Sequence, residues 1–265
     1  MLAEIDAQQI FTTASAMADA ARRITLQHFR SLDLAADTKE ADRFDPVTVA
    51  DRACEAAMRE ILATLRPMDA ILGEEYGAKS GSTGLTWVLD PIDGTRSYLA
   101  GAPTWGVLIA LCDAAGHPIY GLIDQPFIGE RFEGGLGRAI TNGPMGQILL
   151  KARPARPLAQ SILMSTFPEV GTAAEGAAFR RVSARARLTR YGTDCYAYAL
   201  IAAGQIDLVI EAGLQPYDVA APIAVIEAAG GIVTNWQGGA AHAGGQILAA
   251  ANAAVHAEAM ALLNA

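Results

Sequence analysis

Apolar residues at Ile10, Ala14, Met17, Ala21 and Ile24 recur every three or four positions, the spacing of one helix face, and predict an amphipathic helix over residues 5–29. A second helical pattern covers residues 48–65, and the acid-rich stretch 33–45 between them reads as a loop. From residue 70 the period changes. Short apolar runs at 70–72, 86–90, 105–112, 119–123, 130–133 and 138–141 have strand length and are separated by turn-forming residues. Asn142-Gly143 is a hairpin-type turn signal. Residues 151–157 hold two prolines and three basic residues. Beyond them, strands at 161–165 and 187–191 precede a helix over 194–203 and a strand at 207–211. Pro216-Tyr217-Asp218 opens a helix over 219–229 that stops at Gly230-Gly231, and a strand at 232–235 follows. Helices and sheets in both halves predict a layered α/β or α+β architecture. Segment 151–157 divides one unit into two fused halves, about 1–150 and about 151–265.

At 265 residues the chain can bury a large core. Hydrophobic residues make up 52% and the mean hydropathy is +0.23, values raised by alanine. Every long apolar run is broken by charge, Gly or Pro, so no membrane span is expected. Glu4 and Asp6 stand where a signal peptide would be basic. A formal net charge of −8 opposes a nucleic-acid partner. Three cysteines, an odd number, point to reduced thiols and a cytoplasmic location.

Candidate chemistry concentrates in Trp87-Val88-Leu89-Asp90-Pro91-Ile92-Asp93-Gly94-Thr95. An apolar strand ends in a carboxylate, a proline turns the backbone, and a second carboxylate follows three residues later. Two acids so placed can share hard cations, which take oxygen ligands. Gly94 leaves room for a phosphate, and the N–H groups after it can point at one. Asp-Pro and Asp-Gly are also ordinary turn dipeptides. Further acids sit in comparable settings: Glu74 after the strand at 70–72, Asp51 in the helix opened by Thr48, and Asp218 at the start of another helix. Each has a plain structural reading as well, Thr48 with Asp51 as a capping box and Asp218 as a first-turn acid on the helix dipole. Four such placements in one chain favour chemistry.

Nucleophiles can be narrowed by elimination. A cysteine phosphatase needs Arg six residues after Cys, but Cys54, Cys112 and Cys195 are followed there by Glu60, Pro118 and Ile201. His28, His117, His242 and His256 lie outside the acidic blocks. Asp90 and Asp93 are separated by two residues, not by the one of an aspartyl-phosphate enzyme. Gly77-Ala78-Lys79-Ser80 lacks the glycine spacing of a P-loop. What remains is water activated by a divalent ion, which lowers the pKa of water, polarises a phosphoryl group and neutralises a leaving alkoxide.

Thr48-Val49-Ala50-Asp51, Gly73-Glu74-Glu75, Asp90-Pro91-Ile92-Asp93-Gly94-Thr95, and Tyr217-Asp218 before Ala229-Gly230-Gly231 stand in the order of a known pattern. From about Lys39 to Gly231 the chain resembles the inositol monophosphatase superfamily of Mg²⁺-dependent phosphatases. The resemblance implies an α+β fold, a layered αβαβα sandwich of the inositol monophosphatase/fructose-1,6-bisphosphatase type, a homodimer, and two or three Mg²⁺ ions per site. Carried over position by position, it implies that Glu74, Asp90 and the carbonyl of Ile92 hold one ion. Asp90, Asp93 and Asp218 would hold a second, with Glu74 sharing a weaker third. Asp51 and Thr95, beside Glu74, would orient and deprotonate the attacking water, and the N–H groups of Gly94 and Thr95 would hold the phosphate.

On the substrate side the resemblance places Asp93, Asp218, Asp194 and Glu211. Asp194 also reads as a helix N-cap, Glu211 as a surface acid, and Arg190 either as a phosphate contact or as a solvated strand residue. Tyr196, Tyr198 and Trp105 read as pocket walls or core; Glu75 reads as a solvated neighbour. Inositol monophosphatases carry Asn-Phe shortly after Gly-Thr, where this chain has Arg96-Ser97-Tyr98. Gly101-Ala102-Pro103-Thr104-Trp105-Gly106 and Tyr191-Gly192-Thr193-Asp194-Cys195-Tyr196 look like the histidinol-phosphate phosphatases of the superfamily. The implied reaction is hydrolysis of histidinol phosphate to histidinol and phosphate, in histidine biosynthesis. Alternatives are an inositol-1-monophosphatase, a broad small-molecule phosphomonoesterase, and a non-catalytic metal- or phosphate-binding regulator, which the presence of every required acid and of Thr95 disfavours.

Overall fold

A computed structural model describes residues 6–31, 36–38 and 46–265. Glu4, Ile5, Lys39 and most of the stretch expected as an acid-rich loop lie outside the described residues. The first helix, α1 (Ala7–His28), starts at Asp6, whose side chain accepts the Gln9 N–H at 3.1 Å. It buries the stripe of Ile10, Ala14, Met17 and Ala21. Strands β1 (Ala36–Thr38) and β2 (Pro46–Thr48) pair antiparallel, so part of the stretch read as loop is a strand. Helix α2 (Val49–Leu65) follows directly.

An eight-stranded sheet comes next. In chain order it contains β3 (Ala70–Gly73), β4 (Gly77–Lys79), β5 (Thr86–Asp93), β6 (Gly106–Cys112) and β7 (Pro118–Gln125). Three more strands, β8 (Glu130–Gly135), β9 (Arg138–Gly143) and β10 (Gly146–Leu149), finish it. Their order is β10-β9-β8-β7-β6-β5-β3-β4, with only β3 and β5 parallel. A short helix, α3 (Thr95–Leu99), follows β5. Gly143 pairs with Gly146, so the last hairpin turns at Pro144-Met145, two residues beyond the Asn-Gly signal. Proline pre-sets the φ that the second position of such a turn needs.

Residues 151–157 then lead, without regular structure, to a five-stranded sheet. It is built from β11 (Ile162–Ser165), β12 (Leu188–Tyr191), β13 (Leu208–Leu214), β14 (Ile232–Thr234) and β15 (Gly245–Ala250), in the order β12-β11-β13-β15-β14. Helices α4 (Ala173–Ser183), α5 (Asp194–Ala202), α6 (Pro216–Ala228) and α7 (Ala253–Leu263) alternate with these strands. Helices α4 and α7 had no sequence-based expectation; in α7 alanine and other apolar residues fill both faces and erase the contrast that periodicity needs.

The layers follow from which faces are apolar. Met17, Met58 and Leu62 of α1 and α2 cover one side of the larger sheet at Trp87 and Leu111. Phe179 and Val255 of α4 and α7 cover the outer side of the smaller sheet at Leu208 and Leu248. Helices α5 and α6, apolar all round, fill the middle, as fully enclosed helices must. The result is an αβαβα sandwich with two mixed sheets. Two glycines set how closely α6 lies on the larger sheet. A Cβ on Gly121 would meet the Ala221 carbonyl at 2.4 Å, and one on Gly134 would meet Val225 Cα at 2.4 Å.

The contact at Gly121 is backbone on backbone, so a methyl there cannot be absorbed by a rotamer change. Gly121→Ala is expected to destabilise the protein by about 1–3 kcal/mol, read from urea unfolding. Because the first turn of α6 carries Asp218, the activity that the resemblance implies should fall with it. Wild-type stability in that variant would show that the helix is not seated by this glycine.

Candidate active site

Strand β5 does not end at Asp90, as the sequence pattern suggested, but runs through Pro91 to Asp93. Asp90 lies opposite Leu108 of β6 and Asp93 opposite Gly106, so three steps on β5 match two on β6. This is a one-residue bulge, placed where Pro91 has no N–H for the ladder. Side chains three apart in an unbroken strand face opposite ways; the extra residue brings Asp90 and Asp93 to one side. Asp90 Oδ1 accepts the Ile92 N–H at 3.0 Å and holds the bulge. The Ile92 side chain is buried in a cluster with Phe29, Tyr98 and Trp105.

The remaining acids arrive from other segments. Gly94, at φ +82°, is the N-cap of α3, and a Cβ there would meet Asp194 Cγ at 2.7 Å. Thr95 Oγ1 donates to the Ile92 carbonyl at 3.1 Å. Asp93 Oδ2 accepts the Cys195 N–H at the start of α5 (2.7 Å). Asp218, in the first turn of α6, accepts the Gln215 N–H at 2.7 Å. Glu74 sits in the turn after β3, and that turn is pinned by Glu55 of α2, which accepts from the N–H groups of Glu75 (2.7 Å) and Tyr76 (3.2 Å). Gly73 makes the approach possible, since a Cβ there would fall 2.0 Å from Glu55 Oε1. Glu55 had no sequence reading; its only signal was its place one helical turn after Asp51, ahead of a glycine before Glu74.

Asp90, Asp93 and Asp218 each offer an oxygen, and the three oxygens lie within 4.8 Å of one another. Burial pushes all three carboxyls up, Asp218 to about 7, and their neighbours add to it: Glu74, Asp93 and Asp218 around Asp90, and Asp218 and Asp194 around Asp93. An all-oxygen set whose charges repel is what a hard divalent cation fits. Asp51 stands in a capping box, its Oδ2 accepting from the N–H (2.8 Å) and hydroxyl of Thr48. Burial raises it to about 6 against those bonds, with Glu74 adding to the rise. It does not line the cavity over the acids.

That cavity has a volume of about 820 Å³ and lies between residues 93–96, 165–172 and 211–218. Asp194 faces it with φ +43°, Oδ2 accepting from Ser97 Oγ (2.6 Å) and Thr104 Oγ1 (2.9 Å). The N-cap of α5 is Thr193, so Asp194 is not the helix cap. Glu211 accepts from the Thr166 N–H (2.8 Å) and hydroxyl and from Tyr198 (2.7 Å); burial raises its pKa despite these bonds. Arg190 is exposed on β12 and does not line the cavity, which fits its reading as a solvated strand residue. Tyr198 is a wall residue, whereas Trp105 lies in the aromatic cluster and Tyr196 donates to Glu130 at 2.7 Å. Arg96 and Phe167 line the cavity although nothing in the spacing singled them out.

Asn at position 90 can still accept the Ile92 N–H while removing one of the repelling charges. Asp90→Asn is therefore expected to melt at or above the wild-type temperature in chelator. Mg²⁺ should stabilise wild type, by about 2.7 kcal/mol at a hundredfold excess over Kd, and the variant much less. Thermal denaturation with and without Mg²⁺ measures both; equal gains would remove Asp90 from the binding set.

The chain matches the inositol monophosphatase family over residues 6–265. It is 42% identical over 240 residues to the chloroplastic bifunctional phosphatase IMPL2 of Arabidopsis thaliana, covering 89% of this chain and 67% of that protein. With the histidinol-phosphatase of Mycobacterium tuberculosis it shares 36% identity over 258 residues, 95% of this chain and 96% of the relative. Among solved structures, an inositol monophosphatase from Zymomonas mobilis superposes with a TM-score of 0.86 at 34% identity, over 99% of this chain and 100% of that one. The chain belongs to the inositol monophosphatase family and is a metal-dependent phosphomonoesterase.

Proposed function

We propose that the protein hydrolyses histidinol phosphate to histidinol and phosphate with the help of Mg²⁺. The observation that carries this reading is the acidic wall that Asp194 and Glu211 add to the cavity beside Asp93 and Asp218. Such a wall attracts an ammonium through charge-assisted hydrogen bonds and gains nothing comparable from the neutral hydroxyls of inositol phosphate. The activity named for the mycobacterial relative supports the same choice.

In this reading Glu74, Asp90, the Ile92 carbonyl, Asp93 and Asp218 hold two Mg²⁺ ions, or three with Glu74 shared. When bound, the ions supply Lewis acidity toward the phosphoryl group and acidity to water. The chain's own residues do the rest. The N–H groups of Gly94 and Thr95 hold the phosphate, and the missing Cβ of Gly94 lets it approach. Thr95 Oγ1 donates its proton to the Ile92 carbonyl, which turns its lone pairs toward the proton of the attacking water. Asp51, off the cavity wall and bonded to Thr48, would act on the water only together with Thr95. Ser97 and Thr104 hold Asp194 against the leaving-group amine.

Phosphate release from histidinol phosphate and from inositol 1-phosphate, with and without Mg²⁺, tests the assignment; preference for the inositol ester would overturn it. Thr95→Ala is expected to lower kcat at least a hundredfold, about 2.7 kcal/mol of barrier, with little change in KM. A raised KM at constant kcat would make Thr95 a phosphate-holding residue only. Asp194→Asn keeps the left-handed backbone and the Ser97 and Thr104 bonds but removes the charge. It should raise KM for histidinol phosphate about tenfold or more and leave glycerol 2-phosphate unchanged. Equal effects on both esters would show Asp194 to be part of the frame.

A further inference from the structure

Seven of the eight charged residues that line the cavity are acids; the eighth is Arg96. Of the large apolar and aromatic side chains on this wall, Tyr198, Leu214 and Tyr217 among them, Phe167 is the one left exposed, at 43%. Water does not favour an arene in that position, and no core residue needs it there. The ring is nonetheless held. Thr166, just before it, gives both its N–H and its hydroxyl to Glu211. Just after it the chain turns through Val170 at φ +42° and Gly171 at φ +67°. A β-branched residue in the left-handed region costs about 1–2 kcal/mol and persists only when its surroundings impose it. Here Val170 is buried among Phe179 and Val182, and the capping box of Thr172 with Glu175 follows at once. From the phosphate-turn side, the Arg96 guanidinium lies 5.1 Å from the Phe167 ring centroid. The ring is thus tied at one end to the acid proposed to face the leaving group and at the other to the helix that follows Gly94.

We propose that Phe167, steadied by Arg96, is a specificity-determining surface on which a flat ring in the leaving group stacks. Building on the histidinol phosphate reading, the two parts of that leaving group go to different walls. Asp194 and Glu211 take the amine. Phe167 takes the imidazole, whose neutral form stacks on an arene without meeting the charge of Arg96. The substrate class is then a phosphomonoester of an amino alcohol that carries a planar ring.

Four esters separate these contributions: histidinol phosphate (amine and ring), 2-phenylethyl phosphate (ring), O-phosphoethanolamine (amine) and glycerol 2-phosphate (neither). Phe167→Ala, with Mg²⁺ present, should raise KM about fivefold or more for the two ring-bearing esters, with kcat within about twofold. The other two esters should keep their KM, and Phe167→Tyr should restore the ring-bearing pair. Phe167→Leu keeps an apolar side chain without the π face and guards against collapse of the loop; it should resemble Phe167→Ala. A uniform rise over all four esters, or no change in any, overturns the proposal. So does a wild-type enzyme that cleaves the aliphatic esters and neither ring-bearing one. If wild type ignores histidinol phosphate but the Phe167→Ala penalty on 2-phenylethyl phosphate stands, the ring surface survives and the assigned substrate falls. If wild type prefers histidinol phosphate and Phe167→Ala is neutral, the reverse holds.

Discussion

The site depends on carboxylates that are oriented by backbone amides and not paired with a cationic side chain. Asp90, Asp93 and Asp218 each accept one backbone N–H, from Ile92, Cys195 and Gln215, and an amide dipole fixes a carboxylate without cancelling its charge. Elsewhere the same chain buries acids in the opposite way. Asp124 is paired with Arg22 and Arg131, Asp69 with Arg66, and Asp207 with Arg153 and Arg156. Those pairs close a charge account inside the fold, and removing one partner would strand the other. No such arginine or lysine pair reaches the trio among the described residues, and its charge is left for a cation. This contrast, more than the count of acids, separates the metal corner from the structural ion pairs.

Holding that corner together requires close backbone approach at several places. The bulge at Pro91 and Ile92 turns two carboxylates to one side, Gly94 lets Asp194 come up behind them, and Gly121 lets α6 carry Asp218 onto the larger sheet. Asp90 and Asp93 come from the larger sheet, whereas Asp194, Glu211 and Asp218 follow residue 157. The site therefore exists only while α5 and α6 are seated between the sheets. Its stability is that of the central layer.

How much of this was legible in the chain depends on the kind of signal. The acids announced themselves because each sits at the end of an element with a recognisable start: Thr48 before Asp51, a short apolar run before Glu74, Pro216 before Asp218. For Asp51 and Asp218 the capping interpretation and the positioning role are one fact, since the cap bond is what aims the carboxylate. The bulge was not legible. Proline signalled a turn, and only pairing with β6 shows that the strand continues with one residue extra. Glu55, Ser97 and Thr104 were missed because their function is a contact across 20 to 97 residues, which no local pattern encodes. Arg190 drew attention by charge alone, and an edge strand gave it to solvent.

The two ends of the cavity are held by different means, and this bears on how such a fold changes substrate. The metal end is fixed by backbone amides, a bulge and glycines, all of which tolerate little alteration. The far end is made of side chains on the segment 165–172 and of residues at Asp194 and Glu211, whose supports are hydroxyls from Ser97, Thr104, Thr166 and Tyr198. Exchanging Phe167 or the hydroxyl of Thr166 there alters recognition without touching the backbone bonds that hold the three crowded carboxylates. Substrate choice can drift at that end while the metal chemistry stays in place; beyond the segment 211–218, which carries both Glu211 and Asp218, the two ends are joined by the short helix that begins at Thr95 and by the N-terminus of α5. Those two junctions are where Arg96 reaches toward Phe167 and where Asp194 adjoins the Cys195 amide that holds Asp93. A change at either junction is felt at both ends, which makes residues 94–97 and 193–195 the least exchangeable part of the leaving-group wall.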